Sequence, residues 1–326
     1  MRTVLVTGGA GYVGSHCCKA FAQNGWNVVV YDDLSRGWRD LVRWGPLIEG
    51  DINDADALAR AIAETNPYAV AHFAAFASVG ESIHKPELYY RINVAGTLTL
   101  LEAMRHARVG HLLFSSSCAT YGVHDAPITE ETPQNPINPY GASKLFGERM
   151  IGDFCAAYGL RSVILRYFNA AGADAALETG ERNFHDPRVI PQAIRGAMEG
   201  GFTFTINGAD FPTRDGACVR DYVHVSDLAD AHLRALNWLE QGNPSDVFNL
   251  GTGVGVSVIE LAAAVEKVSG CKVERKFGPR REGDPPSLVA NPAKAQRLLG
   301  WKPMHSDIET IIRTAWAWAE KERARA

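Results

Sequence analysis

The sequence has no Cys-x-x-Cys pair, no long apolar run and no excess of basic charge. Each absence closes off a class. The cysteines, at 17, 18, 118, 155, 218 and 271, are spaced as neither a zinc site nor a disulfide framework, and they read as free thiols. No metal site is expected. No stretch approaches the ~18 apolar residues of a membrane span. The apolar start at Met1–Thr7 stops at glycines, too early for a secretory signal, so a cytoplasmic protein is expected. With 33 Lys and Arg against 37 Asp and Glu, the net charge is -4. That argues against a nucleic-acid protein, which shows a strongly basic face. Internal repeats and low-complexity tracts are also missing. What remains is an ordinary globular composition, 46% hydrophobic and 21% charged over 326 residues, with enough apolar material for a sizeable core. That length favours two domains.

The first half alternates short apolar strands with helical stretches. Strands are expected at Val4–Val6, Val28–Tyr31, Ala69–Phe73, Leu112–Phe114 and Ser162–Leu165. Helices are expected over 12–24, 54–65, 86–107 and 139–158, the last with Asn138 as N-cap and Pro139 at its first position. Continuous apolar strands between helices mean parallel strands covered on both faces. The fold class is α/β, a doubly wound parallel sheet of Rossmann type. After about residue 170 the texture changes. Residues 171–188 are loop-rich, with Gly172, Gly180 and Pro187. Helices follow at 188–200, 226–240 and 257–268, the last opening on the capping box Ser257-x-x-Glu260. A Pro- and Gly-rich stretch over 278–292 precedes a helical end at 306–322. The expected division is a dinucleotide domain over 1–170, rejoined by 221–250. A smaller α/β substrate domain takes 171–220 and 251–326.

Directly after the first strand come Gly8, Gly9, Gly11 and Gly14. Glycines let a backbone turn sharply and approach a pyrophosphate, whose charge then lies at a helix N-terminus. The strand–turn–helix context is what gives the motif weight. Asp32 falls 18 residues past Gly14, at the end of the second strand. An acid there accepts from ribose hydroxyls and repels a 2′-phosphate, which favours NAD over NADP; the nearby Arg36 argues the other way. Asp51 and Ile52 are placed to flank an adenine.

Tyr140 and Lys144 are four apart on an expected helix and share a face. A neighbouring ammonium favours tyrosinate, so the phenol pKa is expected to fall from ~10 toward neutral, making a general base. The spacing alone is common on helix surfaces. Ser115, Ser116 and Ser117 add to it, because they follow a strand and ligands bind outside the carboxyl ends of parallel strands. In the second half, Arg220 and Arg281 suit a diphosphate, since guanidinium binds phosphate oxygens bidentately. Asp284 suits a ribose or sugar hydroxyl. His224, between Val223 and Val225, reads as a packed strand histidine.

These stretches resemble the extended short-chain dehydrogenase/reductases, and among them the UDP-glucose 4-epimerase family. The matching segments are TGGAGYVGSH (7–16), YDDLSRG (31–37), HFAAFASVGES (72–82), FSSSCATYG (114–122), PINPYGASK (136–144), RYFNAAGA (166–173), VRDYVHVSDLADAH (219–232) and PRREGD (279–284). They cover nearly the whole chain. The resemblance implies Tyr140 as base, Lys144 as its activator and Ser117 as the orienting hydroxyl. It implies a retained NAD, and a UDP-sugar that is oxidised to a 4-keto form and reduced again from its other face. For the cofactor it implies Gly8, Gly11, Tyr12, Val13, Gly14, Asp32, Asp33, Leu34, Ser35, Arg36, Gly37, Asp51, Ile52, Phe73, Ala74, Ala75, Ala77, Asn93, Ser115, Tyr140, Lys144 and Phe168. For the substrate it implies Ser117, Tyr140, Asn169, Arg188, Val189, Thr205, Asn207, Arg220, Arg281, Asp284 and Leu288. A homodimer through the helices at 86–107 and 139–158 is common in that family.

The chain departs from the family at several places. Ala77 stands where many members carry Lys, Ile92 where many carry a first Asn, Asn207 where an aromatic packs on uracil, and Arg188 where many carry Asn. Leu288 stands where a bulky Tyr narrows the pocket beside the sugar 2-substituent and a small residue opens it; weak turnover of UDP-GlcNAc is expected. Related UDP-xylose/UDP-arabinose 4-epimerases are the nearest rival, since a missing CH2OH is worth only ~1–3 kcal/mol of discrimination. A dehydratase of the family carries acids after the strand-end Ser or Thr, where this chain has Cys118-Ala119-Thr120. A non-catalytic nucleotide sensor on this fold typically loses the Tyr or the Lys.

Overall fold

The structure is a computed structural model that describes residues 2–124, 127–182, 188–199, 202–281 and 284–325. Pro187, residue 200 and the 282–283 part of the PRREGD segment lie outside the described residues.

The first half runs β1 (Thr3–Thr7), α1 (Tyr12–Gln23), β2 (Asn27–Asp32), β3 (Leu47–Glu49), α2 (Ala55–Thr65) and β4 (Ala69–His72). Then come α3 (Val79–His84), α4 (Pro86–Tyr89), a π-turn (Tyr90–Ala95) and α5 (Gly96–His106). They lead to β5 (His111–Ser117), α6 (Pro139–Tyr158) and β6 (Arg161–Tyr167). The expected helix over 86–107 is thus real but carries a π-turn in its middle. The strand expected to end at Phe114 runs on to Ser117, so the serines are strand residues. Asn138 caps α6, its Oδ1 accepting from Gly141 N at 2.8 Å, and Pro139 is the first helical residue.

The second half contributes β7 (Asn169–Ala171), α7 (Val189–Met198), β8 (Phe204–Asn207), β9 (Val219–His224) and α8 (Val225–Glu240). It continues with β10 (Asp246–Leu250), β11 (Gly255–Ser257), α9 (Val258–Ser269), β12 (Arg275–Gly278), β13 (Ser287–Leu288), α10 (Ala293–Leu298) and α11 (Ile308–Arg323). The capping box at Ser257 and Glu260 is formed. The small strands β7, β8, β11, β12 and β13 are too short to leave a hydrophobic period in the sequence.

Seven parallel strands form the large sheet in the order β10-β6-β5-β4-β1-β2-β3. The order reverses beside β1, which opens a crevice there for a ligand. One face packs α1 and α8 over Val4, Val6, Val28 and Val30, joined by Leu299 and Trp301. The other packs α2, α5 and α6 over Leu5, Val29, Leu112 and Phe114. A second core lies among α7, α9 and α11. There β9 pairs with β7, β11 and β13, and β8 pairs with β12.

Candidate active site

A cleft of about 1380 Å³ runs along the carboxyl ends of the large sheet and continues into the second core's strands. Gly8 after β1, Asp32 at the end of β2, Phe73 after β4, Ser117 at the end of β5 and Phe168 after β6 all line it.

The β1–α1 turn is built for a close-lying anion. Gly8 has φ +75°, and a Cβ on it would sit 2.4 Å from the amide nitrogen of Ala74. A Cβ on Gly14 would sit 2.2 Å from the oxygen of Gly8. At Gly11 a Cβ would meet only that same oxygen, at 3.3 Å, and would otherwise fill the cleft. Helix α1 has no side-chain cap and no acid in its first turn, so its leading amides and dipole are left for a ligand. Asp32 is buried, accepting from Ala10 N and Leu34 N at 2.9 Å each. Burial pushes its pKa up, and those two amides hold the rise back. Arg36 is not left to a phosphate: its Nη2 reaches both oxygens of Glu81 at 3.0 Å, and its guanidinium lies 4.7 Å over the Phe76 ring. These residues fit a dinucleotide with free ribose hydroxyls.

Of the expected cofactor residues, Gly8, Gly11, Tyr12, Val13, Gly14, Asp32, Asp33, Ser35, Arg36, Gly37, Ile52, Phe73, Ala74, Ala75, Ala77, Ser115, Tyr140, Lys144 and Phe168 line the cleft. Three others act from behind it. Leu34 takes a left-handed backbone (φ 59°) that turns its amide onto Asp32. Asp51 caps its own turn, accepting from Asn53 N at 2.9 Å. Asn93, in the π-turn, accepts from Phe76 N at 2.8 Å and donates to Phe76 O at 3.0 Å and Ser143 Oγ at 2.9 Å. It ties the cofactor wall to α6 between Tyr140 and Lys144.

Tyr140, Lys144 and Ser117 are all buried and all face the cleft. Lys144 Nζ donates to the main-chain oxygen of Ser115 at 2.8 Å and lies 5.1 Å over the Phe114 ring. Ser117 Oγ accepts from Ala119 N at 3.1 Å, which fixes the hydroxyl and leaves its own proton to donate. The expected fall in the Tyr140 pKa is not found. Burial pushes it up to about 12, with the Ser117 side chain pulling the other way. Burial also lowers Lys144 to about 7, against the pull of Glu148. The Tyr/Lys spacing takes no account of desolvation, which in this closed corner is the largest influence on the phenol.

Of the residues expected to meet a substrate, Asn169, Arg188, Val189, Thr205, Asn207, Arg220, Arg281, Asp284 and Leu288 also line the cleft. Arg220 donates to Asp284 Oδ1 at 2.7 Å and to the main-chain oxygens of Val219 and Pro285. Two residues expected to bind separately are therefore one unit. Asn207, its amide oxygen turned inward, accepts from Arg281 Nε at 3.0 Å and Nη2 at 3.1 Å. Asn169 donates to the main-chain oxygen of Asp221 at 2.9 Å. Arg188 pairs with Glu181 and lies 5.9 Å from the Tyr12 ring centre. Leu288 packs with Cys118 and Phe168 in a small apolar cluster. His224 is packed as expected, its Nε2 3.0 Å from Thr314 Oγ1.

Sequence reasoning missed Tyr167, whose hydroxyl meets Ser115 Oγ beside the site, and the buried pair Glu148–Arg166. Glu148 had a signal: it continues the four-residue spacing of Tyr140 and Lys144.

A dinucleotide cradle, a buried Tyr/Lys/Ser corner and an arginine-lined far end define a nicotinamide-dependent enzyme of a nucleotide-linked substrate. The family model for the NAD dependent epimerase/dehydratase family matches residues 4–251. The chain is 49% identical over 321 residues to a UDP-glucose 4-epimerase of Rhizobium leguminosarum bv. trifolii, covering 98% of each chain. It is similar to the crystal structure of UDP-glucose 4-epimerase from Brucella ovis in complex with NAD. There the TM-score is 0.95 and the identity 48%, over 97% of this chain and 98% of that one. The enzyme from Stenotrophomonas maltophila, with bound NAD and formylated UDP-arabinopyranose, gives a TM-score of 0.96 at 38% identity, covering 100% of both chains. The chain belongs to the NAD dependent epimerase/dehydratase family, in its UDP-glucose 4-epimerase branch. It is an NAD-dependent epimerase.

Proposed function

We propose that the protein interconverts UDP-galactose and UDP-glucose, with Tyr140 as the acid–base group, Ser117 as the orienting hydroxyl and Lys144 as the cation that assists the phenol. The observation that carries this reading is the convergence of three buried groups from two elements, α6 and β5, on one floor of the cleft. NAD, which the β1–α1 turn and Asp32 would hold, would supply the hydride acceptor and donor when bound. Ser117 donates to the sugar oxygen at C4 and holds it against Tyr140. Tyr140 takes the hydroxyl proton as the carbon is oxidised and returns it once the 4-keto sugar has presented its other face. Lys144 lowers the cost of the phenolate with which each turnover begins and ends.

Arg220 and Arg281 hold the diphosphate. Asp284 and Asn207 orient those guanidiniums, and Arg188, Val189, Thr205, Asn169 and Leu288 shape the rest of the pocket. Asp32 takes the adenosine ribose, and with Arg36 engaged by Glu81 the pocket selects NAD over NADP. In this division residues 1–170 and 221–250 serve the cofactor, and 171–220 with 251–326 serve the UDP-sugar.

A homodimer fits the exposed apolar side chains of Tyr90, Leu98 and Phe146, where the Tyr90 and Phe146 rings lie 6.3 Å apart. A cytoplasmic location fits the free cysteines. No helix among the described residues is long and apolar enough to cross a membrane.

The test is a panel of UDP-galactose, UDP-GalNAc and UDP-xylose, each incubated with purified protein and no added nicotinamide cofactor. Conversion of UDP-galactose to UDP-glucose is expected. A protein inert toward all three would overturn the reading.

A further inference from the structure

Tyr140, Lys144 and Glu148 stand at successive four-residue steps of α6 and are all buried. The first two face the cleft; Glu148 does not line it. Its carboxylate is held on three sides. Ser116 Oγ donates to Oε1, Gln134 Nε2 donates to Oε2 at 2.9 Å, and Arg166 donates through Nε at 2.9 and 3.1 Å and through Nη2 at 2.5 Å. Arg166 also donates to Tyr121 Oη at 2.8 Å, and that hydroxyl donates to Asn249 Oδ1 on β10 at 2.7 Å.

Strand geometry explains the division of labour among the serines. Side chains alternate faces along a strand. Ser116 pairs directly with Arg166 across β5 and β6, and both turn toward α6. Its neighbours act at the cleft: Ser115 through the oxygen that receives Lys144, and Ser117 through its hydroxyl. A shift of α6 along β5 would therefore break the Glu148 bonds and move Tyr140 off Ser117 together.

We propose that Glu148 is a positioning residue for the reaction: clamped by Ser116 and Arg166, it sets how α6 meets the end of β5 and supplies the carboxylate that keeps Lys144 charged. This rests on the reading of Tyr140 as the acid–base group. The charge environment of Lys144 supports the second role. From its own helix it faces Tyr140 and Glu148. From β4 it faces His72, which burial and Lys144 itself hold neutral, with a pKa lowered to about 3. From β5 it meets the Ser115 oxygen and the Phe114 ring. Tyr89 of α4, Asn93 of the π-turn, Cys118 after β5 and Tyr167 of β6 surround the corner as neutral groups. Of the nearby cations, Arg166 is spent on Glu148, and Arg188, which acts on Tyr140 across the cleft, pairs with Glu181.

The experiment measures kcat, KM and the pH dependence of kcat on UDP-galactose for Tyr140→Phe, Glu148→Gln and the double variant Glu148→Gln/Arg166→Gln, with a thermal melt of each. The single change leaves a buried guanidinium unpaired and is expected to melt lower; the double change removes that burden and recovers most of the loss. In both, KM stays within about threefold, kcat at neutral pH falls about tenfold or more, and the rising limb of the profile, which reports deprotonation of Tyr140, moves up by about half a pH unit or more, because Lys144 holds its proton less well and its charge then supports the phenolate less. Parental kcat and profile in the double variant, or a loss of kcat that recovers along with its melt, overturns the proposal. So does failure of the double variant to fold, which would make the pair a folding element alone. An active Tyr140→Phe would instead sink the acid–base reading beneath it.

Discussion

Lys144 donates its ammonium proton to the main-chain oxygen of Ser115 at 2.8 Å. That bond joins the helix that carries Tyr140 to the strand that carries Ser117, so the three groups cannot drift apart independently. The cleft floor is rigid because two regular elements build it, and neither is a loop.

Replacing Tyr140 by Phe removes one oxygen from a buried ring and leaves its edge contact with Tyr89. The fold should survive. The expected loss in kcat is about 10²–10⁴-fold, the usual contribution of a general acid–base group. A steady-state assay with UDP-galactose, alongside a circular-dichroism melt, reads both. Activity within a few-fold of the parent would contradict the assignment.

Lys144 predicts opposite effects on stability and turnover. Its folded pKa, lowered to about 7 by burial, lies below the ordinary value of 10.5. Between those values the unfolded chain binds more protons than the folded one, so this group's contribution rises with pH and is least favourable below about pH 7. Lys144→Met should therefore melt higher than the parent at pH 7, with the gain shrinking toward pH 10, while kcat drops by about 100-fold. Melts at the two pH values and one rate assay check it.

Acid should unfold the protein through its neutral buried histidines. Burial lowers His72 to about 3 and His16, His224 and His232 to about 4, from 6.5. A depressed histidine leaves stability intact above about pH 6.5 and takes it away as pH falls through the window below, by up to about 1.4 kcal/mol per pH unit for each group. His232 isolates the effect. Its Nδ1 meets the Leu228 oxygen, while its Nε2 is buried with no hydrogen-bond partner among the described residues. His232→Phe should shift the melting point upward more at pH 5 than at pH 7.5. An equal shift at both would count against it.

Leu288 sits against Cys118 and Phe168 in the wall of the cleft, and in the proposed reading it is intermediate in bulk between the residues that close and open the space beside the sugar 2-substituent. UDP-GlcNAc should turn over weakly. Chromatography after prolonged incubation at high enzyme concentration should reveal UDP-GalNAc, and Leu288→Tyr should abolish it while sparing UDP-galactose. No UDP-GalNAc from the parent protein would end the idea.

Much of this was legible in the residues. The glycine turn, the acid after β2 and the Tyr/Lys spacing all lie in local sequence, and helix α6 announces itself through Asn138 and Pro139. What local sequence hid were quantities set by packing. The phenol pKa rises because the corner is closed, and closure is a property of the whole cleft. Arg220 and Asp284 pair because β9 and the loop before β13 meet, although the residues are 64 apart in the chain. Glu148 carries no local mark of its role, because its partner Arg166 comes from β6, 18 residues further along the chain.

The central claim is that the protein oxidises and re-reduces one carbon of its substrate without exchanging that hydrogen with water. Substrate deuterated at C4 of the galactose ring, incubated with the protein in ordinary water and no added nicotinamide cofactor, tests it most directly. The expected product is UDP-glucose that keeps its deuterium at C4. UDP-glucose that has lost the label to solvent, or no UDP-glucose at all, would contradict it.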